Sequence, residues 1–366
     1  MKKVGLLTMH RVFNYGSILQ AYATQTIIES LGFICDVIDY QYPNKIHKCG
    51  KFDIHQFIGF LLQLKQGFPE LRRRKKFRRF YKKYFHLTQY YPTKESLERN
   101  PPLEDVYIVG SDQTWNTRHI KDDSTFLLSF VPEGKRKLSF SCSAARLSYS
   151  SDFSSMFKKY VSEFSAISVR EKNTQSMVQK LLNRKVPVTL DPTLMLNQSA
   201  WEKMVSNASL HISEPYILVY VLKYSFNPYP LVTKIIRQIY QQTRLHVVCI
   251  RYSAREKLGI SDATYYNESI SPEDFVYLFK NASYVVTTSF HGTAFSVTFN
   301  KRFFSIVKPD STDDRIMSLL NMLGIPERGI SEDKDLSNHL DIDYTLVNQK
   351  LDEERNKTIS YLRDNI

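Results

Sequence analysis

The sequence predicts an α/β fold with two similar halves, each built on a parallel sheet covered by helices. Two patterns indicate this class. Short apolar segments alternate with longer helical ones along most of the chain, and capping residues or glycines stand at many of the junctions. The length of 366 residues is enough for two domains that each bury a core.

In the first half, a strand is predicted over residues 4–8, followed by a turn-rich loop. Ser17, with Gln20 three residues later, has the pattern of a capping box and predicts a helix over residues 18–31, which Gly32 ends. The other predicted elements of this half are strands at 33–38, 106–110, 138–143, 166–171 and 186–193, and a helix at 174–182.

In the second half, Ser271 and Pro272 open a helix that is predicted to run to Ala282, because serine is a favoured N-cap and proline suits the first helical position. Gly324 ends a helix predicted over residues 315–323. The remaining predictions are strands at 216–222, 246–250, 284–287 and 302–307, a helix at 231–243 and a terminal helix at 344–366.

These elements predict an N-terminal domain over residues 1–207 and a C-terminal domain over residues 208–340. Residues 341–366 form a terminal segment whose helix is expected to pack back on the N-terminal domain. Residues 41–99 are the least strand-like part of the chain and predict an insertion of helices that carries most of the positive charge.

The net charge of +13 is concentrated in one segment: the stretch from Leu71 to Lys83 contains nine basic residues and no acidic one, and without it the chain carries +4. Three interpretations stay open. The segment is a solvated helix face or mobile arm; or it binds an anionic membrane surface through Arg72 to Lys83, beside the apolar run at 57–64; or it binds nucleic acid, for which no recognition motif is present.

The four cysteines (Cys35, Cys49, Cys142, Cys249) lie far apart and form no C-x-x-C pair, so the sequence indicates neither a zinc site nor a disulfide framework. The apolar run at the N-terminus is too short for a signal-peptide core, and no run approaches the roughly 20 residues of a membrane span. We expect a cytoplasmic protein in a reducing compartment, with no metal site.

In parallel sheets, ligands bind beyond the carboxyl ends of the strands, so polar residues at those points are the candidates. His291 is the strongest of them: a strand ends at Thr287, and Gly292 permits a tight turn into a helix predicted to start near Thr293. The helix N-terminus would attract an anion, and the imidazole could move a proton beside it. The alternative is that His291 only caps the turn.

Arg170 follows an apolar strand and could grip a phosphate or carboxylate through two hydrogen bonds. The alternative is a structural ion pair with Glu171 or Asp191. Asp112 also follows a strand and could orient a sugar hydroxyl or act as a base, or it could cap the next helix. Trp115 could stack on a sugar ring or be part of the core.

The loop Asn14-Tyr15-Gly16 has the form of a loose anion-binding turn, but the chain has neither the P-loop lysine nor a G-x-G-x-x-G pattern. Nucleotide binding through a standard motif is therefore not indicated. H-E-x-x-H and G-x-S-x-G motifs are absent as well, which argues against metalloprotease and serine hydrolase activities.

Five segments in order, FNYGSILQAYA, GSDQTWN, ISVREKNT, LDPT and TTSFHGTAFSVTFNKRF, resemble the polysaccharide pyruvyl transferases over about residues 1–323. The resemblance implies a GT-B-like fold, with two Rossmann-like domains whose parallel sheets face each other across a cleft. It also implies transfer of the enolpyruvyl unit of phosphoenolpyruvate onto two hydroxyls of a sugar, forming a pyruvate ketal and releasing phosphate. Phosphoenolpyruvate would be the donor substrate, with no cofactor.

On this resemblance, His291 is the general acid and the C-terminal domain is the donor side. Some members carry an arginine just before the histidine, where this chain has Ser289 and Phe290, so a second cation must come from Arg315 or Lys308. The implied donor-binding residues are Arg170, Ser289, Phe290, Gly292, Thr293 and Arg315.

The N-terminal domain is the implied acceptor side, with Asp112 as a base for a sugar hydroxyl. The acceptor would be a glycan, commonly a polyprenyl-linked oligosaccharide at the inner membrane face, and no nucleic acid is expected. Two other functions stay open: a GT-B nucleotide-sugar glycosyltransferase and a non-catalytic sugar-binding scaffold in capsule assembly. The implied acceptor-binding residues are Asn14, Tyr15, Gly16, Ser111, Gln113 and Trp115.

Overall fold

The structure is a computed structural model of the whole chain. It describes residues 1–41, 64–121, 123–145, 149–223, 226–250, 258–261, 263–266, 270–310, 312–336 and 341–366, and the side chains of residues 64–70 are not among the described parts. Cys49 therefore lies outside the described residues, and so does the apolar run at 57–64 except for its last residue.

The described residues form two compact units. The first comprises those within Met1–Gly50, Lys82–Leu196 and Asp352–Ile366, and the second those within Lys51–Tyr81 and Asn197–Leu351. The sequence-based boundary at 207–208 thus differs from the change of unit after Leu196. The terminal helix belongs to both units, because only its part from Asp352 onward packs in the first.

The first unit contains a four-stranded parallel sheet in the order β2-β1-β3-β4. Its central strands pair Val4 with Val106 and Leu7 with Val109. The strands are β1 (Lys3–Leu7), β2 (Ile34–Val37), β3 (Val106–Asp112) and β4 (Arg136–Cys142). The helices up to residue 196 are α1 (Tyr15–Ser30), α2 (Leu64–Tyr84), α3 (Lys94–Arg99), α4 (Thr117–Ile120), α5 (Ser151–Val161), α6 (Lys172–Leu182) and α7 (Pro192–Met195), with a 3₁₀ turn at Ser124–Leu127. Of these, α2 belongs to the second unit as far as Tyr81.

The strands predicted at 166–171 and 186–193 are wrong as regular elements. They make only isolated bridges, such as Leu138 with Ala166 and Val169 with Val188. Serine hydroxyls take over part of the ladder here: Ser168 N donates to Ser139 Oγ at 3.1 Å, and Ser139 Oγ donates to Ser168 O at 3.0 Å. Side chains that bond the backbone in this way compete with regular strand pairing.

The start of α1 also differs from the prediction. The N-cap is Asn14, whose Oδ1 accepts hydrogen bonds from Gly16 N at 2.9 Å and Ser17 N at 3.3 Å. Ser17 therefore does not cap the helix, and its hydroxyl bonds Asp112 instead, at 2.5 Å. Asparagine is as good an N-cap as serine, so local sequence could not decide between them.

The second unit contains a six-stranded parallel sheet in the order β10-β9-β8-β5-β6-β7. Its strands are β5 (Tyr216–Tyr220), β6 (His246–Ile250), β7 (Thr264–Tyr266), β8 (Tyr284–Thr287), β9 (Arg302–Ile306) and β10 (Gly329–Ile330). The helices are α8 (Gln198–Val205), α9 (Leu231–Thr243), α10 (Pro272–Asn281), α11 (Phe290–Thr298), α12 (Arg315–Leu323) and the terminal α13 (Tyr344–Asn365), with a 3₁₀ turn at Pro326–Arg328.

Most elements of the second unit match their predictions. The helix α9 and the strands β6 and β8 have the predicted bounds, and Ser271 caps α10 with a hydrogen bond from Asp274 N. The short edge strands β7 and β10 were not predicted, since three and two residues are too few for a periodic pattern.

Each sheet lies against an apolar core. In the first unit, the core includes Trp115, Phe126 and Phe157, and in the second it includes Ile217, Val219 and Ile236. Across the described ranges, no helix is long and apolar enough to cross a membrane.

Candidate active site

His291 lies at the carboxyl end of the second sheet, in the first turn of a buried helix. The strand β8 ends at Thr287, Ser289 is the N-cap of α11, and His291 is the second residue of that helix. Its side chain is 7% exposed, and its ring meets Phe290 edge-on at a centroid distance of 5.3 Å. A helix N-terminus beside an imidazole favours a bound anion and a proton transfer next to it.

The helix begins at Phe290, so the predicted start near Thr293 is wrong, and Gly292 lies within the first turn. The helix starts three residues earlier than predicted because Ser289 is its N-cap: the Ser289 hydroxyl accepts a hydrogen bond from Gly292 N at 3.3 Å. Thr293 is fully buried, and its Oγ1 bonds Ser289 O at 3.1 Å and Ser305 Oγ at 2.7 Å. These contacts hold the turn that carries His291.

A cleft in the second unit lies next to this turn, which we call the β8–β9 cleft. Two cations line it, and each has a carboxylate neighbour: Lys308 Nζ is 2.6 Å from Asp310, and Arg315 makes two hydrogen bonds of 2.7 and 2.6 Å to Asp313. The cleft therefore combines apolar surface with two cations whose carboxylate partners a bound anion could replace. Its lining residues are Phe226, Thr288, Phe290, Ile306, Val307, Lys308, Asp313, Arg315 and Ile316.

In the first unit, Asp112 and Arg170 meet at the carboxyl end of the sheet. Arg170 Nη2 is 3.5 Å from Asp112 Oδ1, and Ser17 Oγ donates to Asp112 Oδ2 at 2.5 Å. Asp112 is the last residue of β3, and its φ of 69° is in the left-handed region. It does not cap the next helix, since Asn116 does so by accepting from Arg118 N.

Arg170 is 4% exposed and is surrounded by carboxylates. Its Nη1 donates to Asp191 Oδ2 at 2.8 Å, and its Nε is 3.7 Å from Glu171 Oε2. The structural ion pair, which the sequence left open as the alternative, is therefore present. Binding of the donor by Arg170 stays a prediction, and a donor anion would have to compete with these carboxylates.

The predicted acceptor-binding residues differ in their exposure. Trp115 is 1% exposed, and its Nε1 donates to Phe126 O at 3.2 Å. Its ring is therefore part of the core, and the prediction that it stacks on a sugar ring is wrong for this structure. Tyr15 and Ser111 are also buried, and Ser111 Oγ donates to Ser141 O at 2.9 Å. Asn14, Gly16 and Gln113 complete the set: Asn14 caps α1, Gly16 N bonds the Asn14 side chain, and Gln113 Oε1 accepts from Asn116.

The loop at 10–16 follows a strand and is a candidate place on the sequence, but sequence reasoning did not pair its first residue, His10, with Asp39. His10 Nε2 lies 3.0 Å from Asp39 Oδ1 and its Nδ1 lies 3.1 Å from Thr8 O, while Arg11 makes two bonds of 2.5 Å to Asp39. Burial raises the pKa of Asp39, but the hydrogen bonds from His10 and Arg11 outweigh it and leave this pKa below its ordinary value. The signal was available, since His10 and Asp39 each follow a strand.

Among the residues that the structure describes, no group of three or more His, Cys, Asp or Glu side chains has an arrangement that could hold a metal ion. The chemistry that these residues support is proton transfer and anion binding. The second unit offers the buried imidazole of His291, and its neighbour Phe290 lines the β8–β9 cleft together with the two cations. The first unit offers buried carboxylates around Arg170.

Comparison with solved structures finds several that are similar to this chain. The S. aureus MnaA–UDP co-structure matches with a TM-score of 0.51 at 12% identity, covering 100% of this chain and 91% of that one. The UDP-GlcNAc 2-epimerase from Methanocaldococcus jannaschii matches at 0.49 and 12% identity, covering 97% and 92%. The E. coli heptosyltransferase WaaC with ADP matches at 0.44 and 11% identity, covering 96% and 99%.

At these identities the similarity concerns the fold alone. It rests on the MnaA–UDP co-structure, whose TM-score is 0.51. Together with the two parallel sheets, it confirms the α/β, GT-B-like class with two Rossmann-like domains. No curated protein matches the chain. The family model for polysaccharide pyruvyl transferase matches residues 14–308, which is most of the chain and includes Asp112, Arg170 and His291. The chain therefore belongs to the polysaccharide pyruvyl transferase family.

Proposed function

We propose that this transferase moves the pyruvate unit of phosphoenolpyruvate onto two hydroxyls of a sugar in a polysaccharide or lipid-linked oligosaccharide. The observation that carries the proposal is the position of His291, in the first turn of a buried helix beside the β8–β9 cleft, within the family match. A cyclic pyruvate ketal and inorganic phosphate are the products.

The reaction balances with one proton donor and no redox step. A proton is added to the methylene carbon of the donor, which becomes the methyl group of the ketal. The two sugar oxygens form bonds to the central carbon, and its bond to the phosphate oxygen breaks. Of the two protons released by the sugar hydroxyls, one restores the proton donor and the other leaves with the phosphate. His291 is the proposed proton donor, a role that typically contributes 10²–10⁴-fold to the rate.

The donor carries a phosphate and a carboxylate, and the β8–β9 cleft supplies groups that suit both. Arg315 and Lys308 line it, and guanidinium groups bind carboxylates and phosphates through paired hydrogen bonds. Asp313 holds Arg315 with two hydrogen bonds, so we infer that a bound donor anion replaces at least part of this pair. Arg315→Gln should raise the KM for phosphoenolpyruvate more than Arg315→Lys does.

Asp112 is the proposed group that orients a hydroxyl of the acceptor. Its side chain is fixed by Ser17 and Arg170, which favours orientation over free movement. Asp112→Asn should raise the KM for the glycan and lower kcat, whereas Asp105→Asn, near the amino end of β3, serves as the matched control.

The test of the function is mass spectrometry of acceptor oligosaccharides after incubation with phosphoenolpyruvate. We expect the mass increment of a pyruvate ketal together with phosphate release, and a loss of 10²-fold or more for His291→Ala. His211→Ala, which changes an exposed histidine of the same unit, is the control and should keep full activity. Unchanged ketal formation in His291→Ala would contradict the role of this imidazole.

The same experiment separates the other two functions. A nucleotide-sugar glycosyltransferase releases nucleotide from UDP-sugars and no phosphate from phosphoenolpyruvate. A non-catalytic scaffold binds the glycan with no turnover of either donor, and His291→Ala then changes nothing. Either result with the wild-type protein rejects the pyruvyl transfer proposed here.

A further inference from the structure

The helix α2 presents a cationic face that the proposed reaction does not use. Its buried side holds Arg73, Phe77, Phe80 and Tyr81, which recur every three or four residues and are at most 9% exposed. The opposite side is exposed and consists of basic side chains. We call these six residues the basic face: Arg72, Lys75, Arg78, Arg79, Lys82 and Lys83.

The basic face is held by packing and is not a mobile arm. Lys76 Nζ reaches Asp274 Oδ2 at 3.4 Å, and Asp274 is itself buried and bonded by Ser209 N at 2.7 Å. The Arg73 guanidinium lies over the Phe77 ring at 5.4 Å. The orientation of the helix is therefore set by the buried side, and the six cations share one direction.

We propose that the basic face binds the surface of a bilayer that contains anionic lipids. At 1.5 Å per residue, Arg72 to Lys83 span about 16 Å, so the six charges form a straight ridge that can lie along a plane of phosphate headgroups. Long basic side chains reach the headgroups while their stems stay near the helix. The stretch from Leu71 to Lys83 has no acidic residue, so the segment itself contributes no repulsion to this contact.

Two observations favour a bilayer over a nucleic acid. The aromatic residues of the segment, Phe77, Phe80 and Tyr81, face into the protein and are not available to stack on bases. Leu71, at the start of the basic face, is 46% exposed and offers an apolar contact that a lipid interface accepts and a phosphate backbone does not. This inference is independent of the proposed reaction.

The test is flotation of the full chain with vesicles of phosphatidylcholine alone or with about one third phosphatidylglycerol. The wild type should bind the anionic vesicles, and binding should fall steeply at about 0.5 M salt because screening removes the attraction. The variant R72Q/K75Q/R79Q/K82Q should lose about tenfold or more in partition. The matched control K158Q/K172Q/K185Q/K203Q removes the same charge from exposed lysines elsewhere and should bind like the wild type.

Turnover of a soluble acceptor reports on folding and catalysis without a contribution from membrane binding. It should be equal in both variants and the wild type. The proposal is rejected if the wild type does not bind anionic vesicles, or binds neutral ones equally well. It is also rejected if the control loses as much binding as the basic-face variant. Tighter binding of duplex DNA or of RNA than of vesicles at the same salt concentration would assign the face to nucleic acid instead.

Discussion

A Cβ atom at Gly292 would lie 2.3 Å from Thr287 Oγ1, so these two residues can be this close only because position 292 has no side chain. The hydroxyl of Thr287 is fixed on the strand side: it donates to Tyr220 O at 2.8 Å and accepts from Ser289 N at 3.1 Å. The turn that carries His291 therefore lies directly against the end of β8.

We predict that Gly292→Ala destabilises the protein by about 1–3 kcal/mol, the usual range for overpacking, and lowers activity by displacing His291. Thermal unfolding and ketal formation measure the two effects. Thr287→Ala removes the clashing oxygen, so the double variant should be less destabilised than the sum of the single variants. Additive effects would show that the contact with Thr287 is not the cause.

The second prediction concerns the charge cluster around Arg170. Arg170→Met leaves Asp112, Asp191 and Glu171 without their shared cation, and uncompensated buried charges typically cost 3–5 kcal/mol. Arg170→Lys should be less damaging because it keeps the charge but not the planar geometry. Urea unfolding gives the comparison, with Lys172→Met at an exposed neighbouring position as control. A loss below about 1 kcal/mol for Arg170→Met would argue against the ion-pair role.

The third prediction concerns Asp274, which links two parts of the second unit. Burial raises its pKa, but backbone N–H groups of Ser271, Ser209 and Leu210 outweigh this and leave the pKa below the ordinary value of 3.8. A lowered pKa in the folded state means that the carboxylate contributes stability above pH 3.8 and that this contribution is lost as the pH falls through the folded value.

Asp274→Asn should therefore destabilise by about 1–3 kcal/mol at pH 7, because the amide cannot accept all of these hydrogen bonds. The difference from the wild type should shrink as the pH falls below 3.8. Asp333→Asn, which breaks only an exposed pair with Lys234, should change stability by less than about 1 kcal/mol. A pH-independent difference for Asp274→Asn would rule out the ionised form as the source.

The fourth prediction concerns Glu104, a buried carboxyl before β3. Burial, with a smaller contribution from the charge of Asp36, raises its pKa from 4.5 to about 7. Because the folded value is the higher one, the stabilising contribution is present below pH 4.5 and is lost as the pH rises through about 7.

Glu104→Gln removes this titration. Relative to the wild type, the variant should therefore gain stability between pH 5 and pH 8, by on the order of 1 kcal/mol for each unit of the pKa shift at most. Urea unfolding at the two pH values provides the measurement. Glu98→Gln makes the same change in charge at an exposed position and should show no such difference. Equal behaviour of the two variants would contradict the burial of an ionisable Glu104.

The order of strands and helices was largely predictable because its signals are local. Ser271 followed by Pro272 marks the start of α10, and Gly324, with a φ of 76°, ends α12 where predicted. His291 was also found locally, as a histidine that follows the apolar strand β8. Short edge strands such as β7 form only through pairing with a strand that is distant in the chain. The cap of α1 was not predictable because Asn14 and Ser17 are N-caps of equal propensity.

The sequence by itself determined the alternation of strands and helices, the family and the position of His291, because apolar period, capping and motif order are properties of neighbouring residues. Tertiary structure decided what the other polar residues contact. It placed Trp115 in the core, surrounded Arg170 with Asp112, Asp191 and Glu171, and turned one side of α2 outward. These outcomes depend on residues far apart in the chain, whose desolvation and pairing have no local signature.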